Sequence, residues 1–201
     1  MKTDLLDIRN IDCMELMKEY PANYFDLAIV DPPYGIGISK NPVRQKHSKK
    51  EWDNAIPDKE YFNELFRVSK GQMIWGGNYF DLPPSQGFLI WDKKQPMDFS
   101  LAMCEYAWFS KQTPAKMFRY SVLSETNKIH PTQKPIKLYD WLLSNYAEKG
   151  QKILDTHLGS GSSAIACHYA ECSLVACELD KDYYESACKR IEKETAQMTL
   201  F

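Results

Sequence analysis

The sequence predicts an α/β fold, a mainly parallel sheet with helices on both faces. Three observations carry this. Short apolar runs alternate with segments whose apolar residues recur at helical spacing. One run, Phe25 to Val30, is continuously apolar apart from Asp26 and stops at Asp31-Pro32-Pro33-Tyr34, as a buried parallel strand does. A second, Lys152 to Asp155, leads through a glycine turn into a helix. The chain has 201 residues, 44% of them hydrophobic and 26% charged, which fits one domain over 1–201 and rules out wholesale disorder.

The elements follow in order. Asp12 to Tyr20 reads as a short helix with Cys13, Leu16, Met17 and Tyr20 on one face, and Asp12 with Glu15 resembles a capping box. Asp58 caps a helix that turns Tyr61, Phe62, Leu65 and Phe66 inward. Met73 to Trp75, Phe88 to Trp91 and Glu105 to Phe109 read as strands. Pro135 opens a helix carrying Tyr139, Leu142, Leu143 and Tyr146. A helix from about Ser162 to Tyr169 follows the glycine turn, Leu174 to Cys177 is a strand, and Asp180 caps a last helix with Tyr184, Ala187, Cys188 and Ile191 on one face. Two long connections break the pattern, at 39–52 and 111–128.

Charge and composition exclude several functions. With 25 basic and 27 acidic residues the net charge is −2, so the protein does not coat nucleic acid through bulk charge, although a local basic patch can still grip it. No apolar run is long enough to span a bilayer. The start, MKTDLLDIRN, has acids where a signal peptide needs an apolar stretch, so a cytoplasmic location is expected. The six cysteines form no Cys-x-x-Cys pair and the four histidines no His-x-x-x-His pair, so no metal site is expected.

The glycine turn runs from Asp155 through Thr156, His157, Leu158, Gly159, Ser160 and Gly161 to Ala164, and fits G-x-G-x-x-G/A. Glu178, followed by Leu179, ends the next strand near the spacing of a ribose-binding acid. A pyrophosphate on the turn would meet the opposing charge of Asp155, whereas a cationic ammonium would be drawn to it. S-adenosylmethionine has that ammonium, a ribose diol and no phosphate, so this donor is favoured over NAD. No lysine follows the glycines, which excludes a P-loop. The plainer alternative is a tight turn with a solvated glutamate.

In Asp31-Pro32-Pro33-Tyr34 two prolines fix φ and remove two backbone donors at the carboxyl end of a strand. The turn offers a carboxylate, a free carbonyl and an aromatic face. These suit an exocyclic NH2 on a planar ring, with Asp31 and the Pro32 carbonyl accepting its hydrogens and Tyr34 stacking on the ring.

DPPY, followed much later by D-x-x-x-G-S-G-S, resembles the amino-directed DNA methyltransferases that modify adenine N6 or cytosine N4. The order of the motifs resembles the permuted β class, and the likeness covers nearly the whole chain. His130-Pro-Thr132-Gln-Lys134-Pro135 resembles the family segment that borders the methionine end of the cofactor, and Asp12-Cys13 the segment that meets its adenine. Trp91, Glu105, Trp108 and Ser110 also sit in a family-like pattern. The resemblance implies a Rossmann-like S-adenosylmethionine-dependent methyltransferase fold, DNA as partner, a base flipped out of the duplex, and a homodimer as one arrangement to expect. Asp rather than Ser before Pro-Pro-Tyr implies adenine N6, with cytosine N4 and a non-catalytic DNA-binding relative as alternatives. It implies catalytic roles for Asp31, Pro32, Pro33 and Tyr34. Asp12, Cys13, Asp31, His130, Thr132, Lys134, Asp155, His157, Gly159, Ser160, Gly161, Glu178 and Leu179 would hold the cofactor. Asp12 reads equally as a helix cap, Lys134 as a solvated charge, and His157 as a loop residue standing where the family has an aromatic.

The loop at 39–52 carries Lys40, Arg44, Lys46, Lys49 and Lys50 with no acid before Glu51. Its place directly after DPPY makes these five the expected DNA-backbone contacts. The segment 111–128 is expected to be a short target-recognition insert.

Overall fold

The computed structural model describes residues 1–37, 53, 55–96, 102–121, 124 and 128–196. In chain order the elements are β1 (Leu6–Arg9), α1 (Cys13–Lys18), β2 (Leu27–Val30), α2 (Lys59–Val68), β3 (Gln72–Trp75), a 3-10 turn (Gly77–Tyr79), β4 (Gly87–Asp92), β5 (Cys104–Phe109), β6 (Lys116–Arg119), α3 (Ile136–Tyr146), β7 (Lys152–Asp155), α4 (Ser162–Tyr169), β8 (Ser173–Cys177) and α5 (Lys181–Ala196). The strands form one sheet in the order β1-β8-β7-β2-β3-β5-β4-β6. The first five are mutually parallel, β5 runs antiparallel to β3 and β4, and β6 joins β4 in parallel.

Side chains alternate along each strand and build a core on either face. Leu27, Ile29, Met73 and Trp75 pack with Leu138 and Leu142 of α3, Ile165 of α4 and Ile191 of α5. Ala28, Val30, Ile74 and Leu154 face the other way, with Leu16 and Met17 of α1 and Tyr61, Phe62 and Leu65 of α2. All four residues of β2 are buried, and all four of β3, as expected for strands covered on both sides.

Several details correct the sequence reading. The strand expected at Phe25 to Val30 begins at Leu27, and Phe25 makes an isolated bridge to Ser69. Two strands were not anticipated. β1 (LDIR) pairs with β8, and β6 (KMFR) lies inside 111–128, the stretch read as an insert. Helix registers also differ by a residue or two. α2 buries Val68 rather than Phe66, which leans on Trp108, and α5 buries Tyr183 rather than Tyr184. No helix among the described residues is long and apolar enough to cross a membrane.

Position in the sheet decides where ligands can go. From β7 the chain passes through α4 to β8 on one side, and from β2 through α2 to β3 on the other. Since α4 and α2 lie on opposite faces, the carboxyl ends of β7 and β2 form the topological switch point, the place where open α/β sheets bind ligands.

Candidate active site

Five parallel strands deliver their carboxyl ends to one edge of the sheet. Across that edge stand Asn10 and Asp12 after β1, Glu178 after β8, Asp155 at the end of β7, Asp31 after β2, and the Gly76–Tyr79 turn after β3. The antiparallel β5 brings Glu105, near its amino end, to the same edge.

At the glycine turn, Gly159 (φ 53°) and Gly161 (φ 77°) take the left-handed conformation that glycine adopts without strain. A Cβ on Gly161 would also press on Ile191. Glu178 caps the turn. Its Oε2 accepts from the Gly159 N–H at 2.9 Å and its Oε1 from the Asp180 N–H at 3.0 Å. Leu179 is exposed beside it, and Asn10 donates to the Glu178 and Leu179 carbonyls. Behind the turn, Arg190 of α5 donates to the Ser160 carbonyl (2.8 Å) and the Ser162 hydroxyl (2.9 Å). The Ser160 and Ser162 hydroxyls lie 3.2 Å apart.

Asp155 is buried. It accepts from the Ser163 hydroxyl (2.5 Å) and the His157 N–H (3.0 Å). Burial, reinforced by the charges of Asp31 and Glu178, outweighs these bonds and pushes its carboxyl up to about 7. No cation among the described residues forms an ion pair with it. A buried carboxyl in that condition fits a cationic ligand group, so the donor set agrees with the ammonium of S-adenosylmethionine. His157, half-buried, meets Tyr61 edge-on (centroids 5.6 Å apart) and lies 2.9 Å from the Thr156 hydroxyl, itself 2.7 Å from the Tyr61 hydroxyl. Burial lowers His157 to about 4, so it is a neutral ring at pH 7.

Asp12 caps α1 through the Met14 and Glu15 N–H groups, and burial with the neighbouring Asp12 charge pushes the Cys13 thiol up to about 12. His130 is buried against Gly159 and edge-on to Tyr183, with Thr132 N–H and hydroxyl near its Nδ1 (3.3 and 3.1 Å).

The DPPY turn is fixed on every side. Tyr34 donates its hydroxyl to Asp31 Oδ1 at 2.6 Å. Burial, then the Asp31 charge, raises that phenol well above its ordinary value, so it stays a donor. The Tyr34 ring stacks on Tyr79 (5.0 Å, 12°) and rests on Gly76, where a Cβ would collide with it. Asp53, buried, accepts from the Tyr34 and Gly35 N–H groups at 2.8 and 2.9 Å. Lys134, only 4% exposed, pairs with Asp31 Oδ2 and lies 3.1 Å from Glu105 Oε2; Glu105 also pairs with Lys93 at 2.6 Å.

The expected residues therefore meet at one edge, with the glycine turn and DPPY on adjacent strands. Lys40, Arg44, Lys46, Lys49 and Lys50 lie outside the described residues. Asp53 and Arg190 were not among the expected residues, and nothing local marks them. Tyr79 closes the stretch Trp75-Gly-Gly-Asn-Tyr79, legible as core plus turn, and Glu105 is conspicuous as an acid in a largely apolar strand.

Comparison with known proteins decides the family. A family model described as DNA methylase, for the N6/N4 group, matches residues 72–189. The chain belongs to the N6/N4 DNA methylase family. This methylase is 22% identical to type II methyltransferase M2.MboI of Moraxella bovis over 242 residues, 92% of this chain and 86% of that protein. Among solved structures it is similar to an M1.HpyAVI complex with S-adenosylmethionine (TM-score 0.62, 19% identity, 93% of this chain and 99% of that one). It is also similar to the cytosine-N4-specific PvuII DNA methyltransferase (TM-score 0.68, 13% identity, 97% and 92%). At these identities the likeness is one of fold, the α/β fold of S-adenosylmethionine-dependent methyltransferases.

Proposed function

We propose that this methylase transfers the methyl group of S-adenosylmethionine to the N6 amine of adenine in DNA. The observation that carries the reading is the adjacency of two fixed turns at the switch point. Asp31, its Oδ1 2.6 Å from the Tyr34 hydroxyl, stands at the end of β2, and Asp155 stands at the end of its neighbour β7. Asp155 and Glu178 would hold the cofactor, the first at its ammonium and the second at its ribose, with Leu179 as an apolar wall. When bound, the cofactor supplies a methyl group already activated by its sulfonium.

The chain's own work is positioning and electrostatics. The target base must leave the duplex, and stacking on an aromatic face offsets part of that cost. Asp31 and the Pro32 carbonyl accept the two hydrogens of the amine, drawing its lone pair out of the ring and toward the methyl carbon. The new N–C bond would replace the S–C bond of the sulfonium, which leaves as a neutral thioether, and the amine would shed one proton, for which Asp31 offers a base. No covalent bond to the protein is required. Asp before Pro-Pro-Tyr supports adenine over cytosine. The five basic residues of the loop at 39–52 would hold phosphates, and a homodimer would let a small chain read a longer target.

Incubation with unmethylated DNA and S-adenosylmethionine, followed by nucleoside mass spectrometry, tests the reading. N6-methyladenine is expected. N4-methylcytosine instead would move the target to cytosine, and neither product would remove the activity.

A further inference from the structure

Lys134 belongs to the segment expected to border the cofactor, yet its side chain is engaged elsewhere. Its ammonium meets Asp31 Oδ2 and Glu105 Oε2 and hangs over the Trp75 ring at 5.4 Å and the Tyr34 ring at 5.9 Å. Two carboxylates and two aromatic faces therefore surround it. Its backbone is tied to the other motif, since the Lys134 carbonyl accepts the Ser162 hydroxyl at 2.7 Å, at the start of the helix behind the glycine turn. One residue thus links the two turns that must face each other.

The charges balance only with Lys134 present. Asp31 and Glu105 are the acids of the cluster, and Lys134 and Lys93 the bases, joined in the chain Asp31–Lys134–Glu105–Lys93. Lys134 and Lys93 are buried, so water screens the cluster little. Removing Lys134 leaves two acids against Lys93 alone, and breaking one side of a buried pair is costly because the partner charge stays behind. Burial works against the Lys134 ammonium, but Asp31 and Glu105 outweigh it and hold it above its ordinary value.

We infer that Lys134 is a positioning residue for the substrate-binding carboxylate: through Oδ2 it fixes the orientation of Asp31, while Tyr34 fixes Oδ1. The inference rests on the proposed role of Asp31 toward the substrate amine. It does not depend on whether the amine belongs to adenine or cytosine. A neutral amide at position 31 would need no such partner, which gives the test its shape.

The test is a double-mutant cycle of Lys134→Met and Asp31→Asn in the full chain, with three readouts. These are S-adenosylmethionine affinity by calorimetry, single-turnover methyl transfer into unmethylated DNA, and thermal unfolding. Lys134→Met should slow transfer by about 100-fold, the scale of a displaced catalytic group. Cofactor affinity should stay within about threefold of the parent, since the Lys134 ammonium is committed to Asp31 and Glu105. Lys134→Met should lower Tm in the parent and change it much less in the Asp31→Asn background. A fall in cofactor affinity matching the fall in rate would make Lys134 a cofactor ligand and overturn the inference. Equal Tm losses in both backgrounds would do the same, even if Asp31→Asn transfers no methyl. The base carrying the parent's methyl group tests the adenine reading separately.

Discussion

Asp155→Asn separates stability from cofactor binding at one atom. The carboxyl is 2% exposed and raised from an ordinary 3.8 to about 7, chiefly by burial. Between those two values the folded protein keeps its proton while the unfolded chain has released it. Stability therefore falls as pH rises through this window. At about 1.4 kcal/mol per tenfold change in proton affinity, the charged form costs up to about 4 kcal/mol above pH 7. The amide keeps the shape, accepts from the His157 N–H and can donate to the Ser163 oxygen, without the buried charge. Urea unfolding should show the variant close to the parent below pH 4 and more stable by roughly 1–4 kcal/mol at pH 8. Calorimetry with S-adenosylmethionine should show the opposite trend, a loss of about 10- to 100-fold as a charge-assisted contact disappears. In the parent, affinity should weaken as pH falls from 8 to 6 and the carboxyl protonates, and the variant should be flat. A variant no more stable at pH 8, or one that binds the cofactor as well as the parent, would refute the reasoning.

Three further outcomes are expected. Glu178→Ala releases the Gly159 and Asp180 N–H groups and removes the ribose acceptor, so calorimetry should show cofactor binding weakened by about 1.5–3 kcal/mol. Gly76→Ala forces a side chain into φ +69° and against the Tyr34 ring, so it should lower Tm and slow transfer, and wild-type behaviour would argue against a rigid DPPY turn. Replacing Lys46, Lys49 and Lys50 with Gln should weaken binding to all DNA sequences and flatten the slope of log K against log salt by up to about 3. An unchanged slope would remove the loop from the DNA interface.

What could be read in the sequence follows burial. β2 and β3 were legible because both faces are covered, so LAIV is wholly apolar and QMIW is apolar after its first residue. β1 and β6 lie at the two edges of the sheet, where LDIR and KMFR mix polar and apolar residues and carry little signal of their own. Helix faces were right except at their margins: on α2 Phe66 and Val68 flank the apolar stripe on opposite sides, and Val68 is the one buried, while on α5 Tyr183 and Tyr184 are one 100° step apart. Within the site, residues on the turns themselves were legible, since the chemistry sits in contiguous motifs. Contacts between motifs were not. Asp53 under Tyr34, Arg190 behind Ser160 and Lys134 beside Asp31 depend on which strands become neighbours, and spacing along the chain does not encode that.

The pairing of β2 with β7 also sets the order in which the protein can come into being. Leu27 finds Ile153, and Asp26 accepts the Lys152 N–H, across 126 residues of chain. While the polypeptide is being synthesised, β2 can acquire β3 early, but its other edge stays open until β7 emerges. β8, which brings Glu178, comes later still. Such distant pairings are slow to close, and an apolar strand with an open edge is prone to wrong partners meanwhile. A nascent chain therefore presents DPPY without the floor for the methyl donor until β7 and β8 have emerged.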